Sequence, residues 1–359
     1  MQYLWQFYLL IAVIFLQGLL VGFSSKNGKT IFIWLCFFEL TFIAGFRAWN
    51  IGNDTQSYVH AFMLSGSYSE LFKTHMEAGY LLYNRVLSLF TSDPQMLLLT
   101  TSVFIIGIWL RTLYKYSIAL TFSMVLFVIL GYDMTLTMIR QEMAMCIIFL
   151  ALPFVIRRQL IPFLLMVALA YSFHTSAVFA IGLYVLYPME FKVKYAFGAL
   201  LGTLGVFFFL APILDEVIRI IGRYETYIGN ILLGEELKVA SLAKTAVQLV
   251  ITSFCYISYK YVRPKREVKT LLHENFLLWC SVTALCVQFI SIRGTVLERL
   301  ALYFFVFNFI SIPYFVHCYP KRVRVLVAVS LVFCFILYKS IVFVYRPEWN
   351  HVLPFEFCF

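Results

Sequence analysis

The side chains able to do chemistry fall into a few short clusters between long apolar runs. Arg47 and Asp54 share RAWNIGND, Glu77 opens EAGYLLYNRVLSLF, Arg140 opens IRQEMAMCIIFL, His174 sits in AYSFHTSAVF, and Arg293 and Arg299 bracket SIRGTVLER. Arginine presents a planar fork of donors that grips phosphate through two parallel hydrogen bonds. Several arginines together therefore suit a diphosphate. A carboxylate such as Asp54, or a histidine flanked by hydroxyls as His174 is by Thr175 and Ser176, suits removal of a proton from an alcohol. Each residue also has a plainer use. Arginines snorkel to lipid headgroups, Asp54 caps the helix that follows it, Glu77 is an acid at a helix start, and Glu298 pairs with Arg299. No DxD, HExxH, GxSxG, Walker or GxGxxG pattern occurs, and the histidines do not cluster as metal ligands. No cofactor or metal is expected.

The elements that position these residues are set by composition. Of 359 residues, 62% are hydrophobic and 13% charged, where a soluble domain has roughly 45–50% and about 25%. That excludes a soluble enzyme, a disordered chain and a nucleic-acid-binding protein. The long continuous apolar runs exclude a β-barrel, whose strands alternate. Cys36, Cys146, Cys255, Cys280, Cys286 and Cys334 sit inside such runs, no CxxC occurs, and all read as small buried hydrophobes. The expected fold is all-α: one polytopic membrane bundle over 1–359 with about 12 transmembrane helices. The segments are 3–23, 30–47, 95–112, 117–132, 139–156, 159–173, 174–188, 194–213, 241–259, 272–291, 299–317 and 324–343. The first is expected to be a retained span and not a signal peptide.

The loops set an orientation. With the N-terminus outside, the inner loops collect sixteen basic residues against three acids, Glu190, Glu267 and Glu274, as the positive-inside rule demands. The C-terminus is then outside too, and the net charge of +10 reflects this bias. Two outer segments, 47–94 and 214–244, contain amphipathic stretches (54–64, 77–90 and 213–223) expected to lie flat on the surface as helices. Arg47, Arg140, Arg219, Arg223, Arg293, Arg299 and Arg346 all fall on this outer side, where the rule disfavours them. A charge at membrane depth costs roughly 2.5–3.5 kcal/mol on insertion scales, so they need a purpose. Arg140 and Arg299, at span ends, are the strongest candidates for an anion site. Glu39, in mid-span, is expected to hydrogen-bond within the bundle.

The ordered set Arg47…Gly52-Asn53-Asp54…Tyr58…Phe62, Glu77-Ala78-Gly79-Tyr80, Ile139-Arg140-Gln141, Phe173-His174-Thr175-Ser176-Ala177, Glu298-Arg299…Tyr303-Phe304 and Trp349…Pro354-Phe355 resembles the EpsG family of Wzy-like polysaccharide polymerases. The resemblance implies a metal-independent membrane glycosyltransferase of the broad GT-C type. It would join oligosaccharide repeat units carried on undecaprenyl diphosphate at the outer face of the bacterial cytoplasmic membrane. Under it, His174 and Asp54 compete for the base. Arg140, Arg299, Arg47, Arg293, Gln141, Tyr58, Glu77, Tyr80 and Tyr303 line the substrate site. The implied partners are the lipid-linked oligosaccharide, the bilayer, and the pathway's flippase and chain-length regulator. Rivals remain. A flippase would need polar residues through the membrane and often a repeat, an acyltransferase an inner histidine, and a scaffold would tolerate loss of Arg140 or Asp54. An O-antigen-ligase-like transferase would share the outer-face chemistry.

Overall fold

The computed structural model describes residues 3–21, 26–67, 76–221, 239–262, 270–294 and 297–359. These residues are helical almost throughout and contain no strand, only an isolated antiparallel bridge between Arg47 and Phe357. Each of the twelve expected segments contains a helix. Six helices are long and apolar enough to cross a membrane: Asn27–Gly45, Pro94–Tyr116, Ile139–Ile156, Val239–Tyr261, Glu298–His317 and Lys321–Tyr345. Five of the other segments carry apolar helices of 10–17 residues, and 194–213 lies in a longer helix whose apolar part is Val193–Phe209. The fold is that of a polytopic all-α membrane protein. It divides into two compact units, Met1–Val178 with Tyr319–Phe359, and Phe179–Cys318.

The first unit contains α1 (Leu4–Leu20), α2 (Lys26–Gly45), α3 (Thr55–Met63), α4 (Ala78–Ser88), α5 (Pro94–Tyr116), α6 (Leu120–Leu130), α7 (Tyr132–Thr137), α8 (Ile139–Ile156), α9 (Leu160–Tyr171) and one long helix near the C-terminus. Helix α6 is apolar all round, as is α8 beyond its first turn, and both are buried accordingly. Helix α2 runs along α5, α8 packs against α5 and α9, and α1 lies on α6. Apolar surface gains nothing by leaving lipid for protein, so close packing and polar contacts must hold such helices together. Trp109 of α5 does both. Its ring lies 4.7 Å from Phe127 and 4.8 Å from Phe149, and its Nε1 donates to Glu142 at 2.9 Å.

The second unit contains α10 (Ile181–Leu186), α11 (Val193–Ile221), α12 (Val239–Tyr261), α13 (Glu274–Ile290), α14 (Glu298–Phe305) and α15 (Asn308–His317). Helix α11 runs unbroken through 213–221, which the amphipathic pattern marked as a separate flat helix. At 29 residues it is about 43 Å long, longer than the roughly 30 Å hydrocarbon core. Arg223 and most of the 214–244 segment lie outside the described residues. The chain returns to the first unit through α16 (Lys321–Tyr345), which packs on α6 and buries only Phe335, Lys339 and Val342. The rest of its apolar surface is left for lipid.

The stretches 54–64 and 77–90 do form helices, α3 and α4, which pack on each other. Two glycines allow their seating. Gly52 holds φ +91°, and a Cβ there would meet the Leu136 carbonyl oxygen at 2.5 Å. Gly79 donates its N–H to the Ser172 carbonyl at 2.7 Å, an approach any Cβ would block. Thr55 Oγ1 completes the seat, donating to the Ile51 carbonyl at 2.6 Å.

Candidate active site

Within the first unit the fold gathers most of the expected site residues. Arg140, in the first turn of α8, forms an ion pair with Glu77, the residue that precedes α4. The other carboxylate oxygen of Glu77 accepts the backbone N–H of Thr175 at 3.3 Å, beside His174 in the chain. Arg140 also lies over the Tyr58 ring, 5.6 Å from its centroid, and Tyr58 meets Tyr80 edge to face at 5.7 Å. The Tyr58 hydroxyl reaches Asp54 at 3.5 Å. Neither carboxylate caps its helix. The side-chain cap expected of Asp54 is therefore not made, its carboxylate contacting Tyr58 instead, while Glu77 stands at the start of α4, where the helix dipole favours an acid, and also pairs with Arg140.

Arg47 is the largest charged group that the fold encloses, with 0% of its surface exposed. It follows α2 and is surrounded by the phenols of Tyr132, Tyr80 and Tyr58. One guanidinium nitrogen donates to the Ala44 carbonyl, while Nε and Nη2 meet no acceptor among the described residues. Arg140 Nε is likewise buried without one. Burial lowers the Arg47 pKa to about 10, so it remains a cation at neutral pH. The same burial holds the Tyr80 phenol well above its usual value. A buried charge ordinarily has its full set of partners. Two arginines around one tyrosine pair thus hold three buried donor nitrogens that meet no acceptor among the described residues.

The Arg47–Asp54 segment is held from the C-terminus. Phe46, Ala48 and Gly52 exchange backbone hydrogen bonds with Cys358, Glu356 and His351. Asn53 donates to the Trp349 carbonyl at 2.8 Å and contacts His351 Nδ1 at 2.6 Å. The tail is tied in turn to α1 by Gln6, which exchanges two hydrogen bonds with Phe355. Its Asn350 bonds to Asp133 of α7, which also accepts from Lys339 of α16 at 2.6 Å. Sequence reasoning gave no role to Asp133, Glu142 or Lys339. All three are buried.

His174 is buried where α9 ends, its Nδ1 2.6 Å from Ser176 Oγ and accepting the Ser176 N–H at 3.3 Å. An imidazole that accepts at Nδ1 carries its proton on Nε2 when neutral. Asp54 is partly exposed. Gln141 is buried beside Arg140 in α8.

Arg293, Arg299 and Tyr303 belong to the second unit. Arg293 lies over the Phe207 ring at 4.6 Å, with its Nε buried and without an acceptor among the described residues. Arg299 is in the first turn of α14 and half-buried, and Tyr303 is buried one turn on. Glu298 pairs with Lys244 at 2.5 Å and accepts from Ser241, so the simple Glu298–Arg299 pairing is replaced. Arg346 pairs with Glu348 at the surface, 3.7 Å away, and carries no site role.

The EpsG family model matches residues 5–357. The chain belongs to the EpsG family. No curated protein and no solved structure matches it. EpsG membership makes it a membrane protein of polysaccharide biosynthesis, in keeping with a Wzy-like polysaccharide polymerase.

Proposed function

We propose that this protein joins undecaprenyl-diphosphate-linked oligosaccharide repeat units by glycosyl transfer at the outer face of the cytoplasmic membrane. The observation that supports it best is the pair of arginines around Tyr58 and Tyr80, with buried donors that lack an acceptor. In the reaction, a hydroxyl of the acceptor repeat unit attacks the anomeric carbon of the donor. The new C–O bond forms as the bond to diphosphate breaks, and undecaprenyl diphosphate leaves with its charge. Arg140 and Arg47 neutralise that charge by guanidinium hydrogen bonds, each worth about 1.5–3 kcal/mol. The acceptor's proton goes to Asp54, which is reachable, while His174 donates through Nε2. The family supports polymerisation; the orientation rests on the basic loops.

The test is a glycan length ladder. Deleting the protein should leave single repeat units on the lipid carrier, and both Asp54→Asn and His174→Ala should do the same while the protein still folds and binds donor. A normal ladder from Asp54→Asn would remove it as base, and a deletion strain that accumulates no lipid-linked single units on the outer face would point to a flippase.

A further inference from the structure

The first unit holds a cavity of about 400 Å³ between α1, α2, α6, α7, α16 and the C-terminal tail, within the size range of ligand sites. Its wall is apolar and rich in rings, including Trp5, Val13, Ile43, Val128, Phe343 and Phe355. The polar residues on the wall are mostly engaged already. Lys339 is paired to Asp133, and Gln6 is bound to Phe355. Asp133 and Glu39 each keep one buried carboxylate oxygen without a donor. These could take two hydroxyls, but a sugar would bring several more and leave them buried and unpaired. The two carboxylates also disfavour a phosphate. A hydrocarbon chain makes no such demand.

Two features say which hydrocarbon. Trp5 and Leu9, at the mouth, are more than half exposed on a lipid-facing helix, so a chain can enter from the bilayer. Two residues of its wall also adjoin Arg47, which is enclosed and does not itself line the cavity. Tyr132 lines it and is a charge neighbour of the Arg47 guanidinium, while Phe357 lines it and forms the backbone bridge with Arg47. An amphiphile with an anionic head and an apolar chain would place the head on the unspent Nε and Nη2 of Arg47 and its chain here. We propose that this cavity binds the isoprene units nearest the diphosphate of a polyprenyl diphosphate. The inference rests on Arg47 as a diphosphate ligand.

The experiment uses the full-length protein in lipid nanodiscs and two sugar-free probes. One is a polyprenyl diphosphate with a diazirine in its first isoprene units, the other the matching polyprenyl alcohol. Labelled peptides are mapped by mass spectrometry. The diphosphate probe should label α1, α2 and α7, with labelling lowered at least tenfold in Val13→Trp and in Ile43→Trp. Unlabelled undecaprenyl diphosphate should compete, and excess phosphatidylglycerol should not. Labelling elsewhere in the wild-type protein would overturn the proposal whether or not either variant folds. So would competition by phospholipid, which would make this an acyl-chain site. Arg47→Ala separates the two claims. If it leaves labelling by the diphosphate probe intact, the head-group reading fails, while labelling by the alcohol still upholds the cavity. If neither probe reaches the cavity while polymerisation proceeds, the cavity proposal fails alone.

Discussion

The two units bury polar groups of different kinds. Among the described residues, every buried ionisable acid, base or histidine lies in the first unit: Arg47, Asp133, Glu142, His174 and Lys339. The buried polar side chains of the second are neutral. There Gln248 of α12 donates to Ser281 of α13 and accepts from Asn308 of α15 at 2.8 Å, and Thr252 meets Ser281 at 3.0 Å. Neutral hydrogen bonds between transmembrane helices act as modest glue. Buried charges are costly and occur where ions, protons or anionic ligands are handled. The contrast teaches that, among the described residues, charge is buried in the first unit, while the second is held together by neutral polar groups.

The contrast is tested most severely at Asp133. Its removal strands the Lys339 ammonium, and breaking one side of a buried pair costs about 3–5 kcal/mol. Asp133→Ala should lower the thermal midpoint in detergent further than loss of any single arginine or amide, with little protein recovered. Asp133→Asn combined with Lys339→Met should restore most of it, because no charge is then left buried. A double variant as unstable as Asp133→Ala would mean that the pair contributes through Asn350 and the tail, and not through charge.

Next in size are the arginines. Arg47→Ala and Arg140→Ala should each cost about one to two decades of polymerase activity at normal expression, the equivalent of one charge-assisted hydrogen bond. Lysine should rescue only partly, for want of the bidentate fork. Arg299→Ala sharpens the comparison. A loss as large as that of Arg140→Ala would assign the second unit an equal share in binding diphosphate. Full activity of both Arg140→Ala and Arg299→Ala would sink the diphosphate pocket altogether.

Much of the architecture is legible in the residues alone. Twenty-residue apolar runs are a direct consequence of bilayer thickness, and the helices appear where those runs lie. The cluster of Arg47, Asp54, Tyr58, Glu77, Tyr80, Arg140 and His174 could be anticipated from a shared outer side and an ordered motif. Its wiring could not. That Glu77 turns to Arg140 depends on Gly79 sitting against Ser172, a contact between segments far apart in the chain. Asp133 and Lys339 were hidden for another reason. Each stands at the end of an apolar run, where one charge reads equally as loop or as span. Only the pairing across α7 and α16 shows that both are inside. His174 illustrates a third limit, since residue type points to a base while the tautomer selected by its contacts with Ser176 decides what the ring can do.

The smallest effect is expected from the second unit's neutral network, and it is the one that could break the contrast most quietly. Asn308→Ala removes the donor to Gln248 Oε1, but it also removes Asn308 Oδ1, a buried oxygen with no donor among the described residues. One lost hydrogen bond is offset by one relieved acceptor. Interhelical hydrogen bonds in membranes average about 0.6 kcal/mol and reach about 1.7, so the stability loss should sit at the low end of that range. The glycan ladder should be unchanged at equal protein level, because no charge and no proposed ligand contact is touched. Gln248→Leu, which strands the Asn308 amide and leaves the Ser281 hydroxyl to Thr252 alone, should cost more than Asn308→Ala while leaving polymer length unaltered. If Asn308→Ala instead shortened the polymer at normal stability, the neutral network would be part of the working site, and the division between a charged working unit and a neutral frame would have to be abandoned.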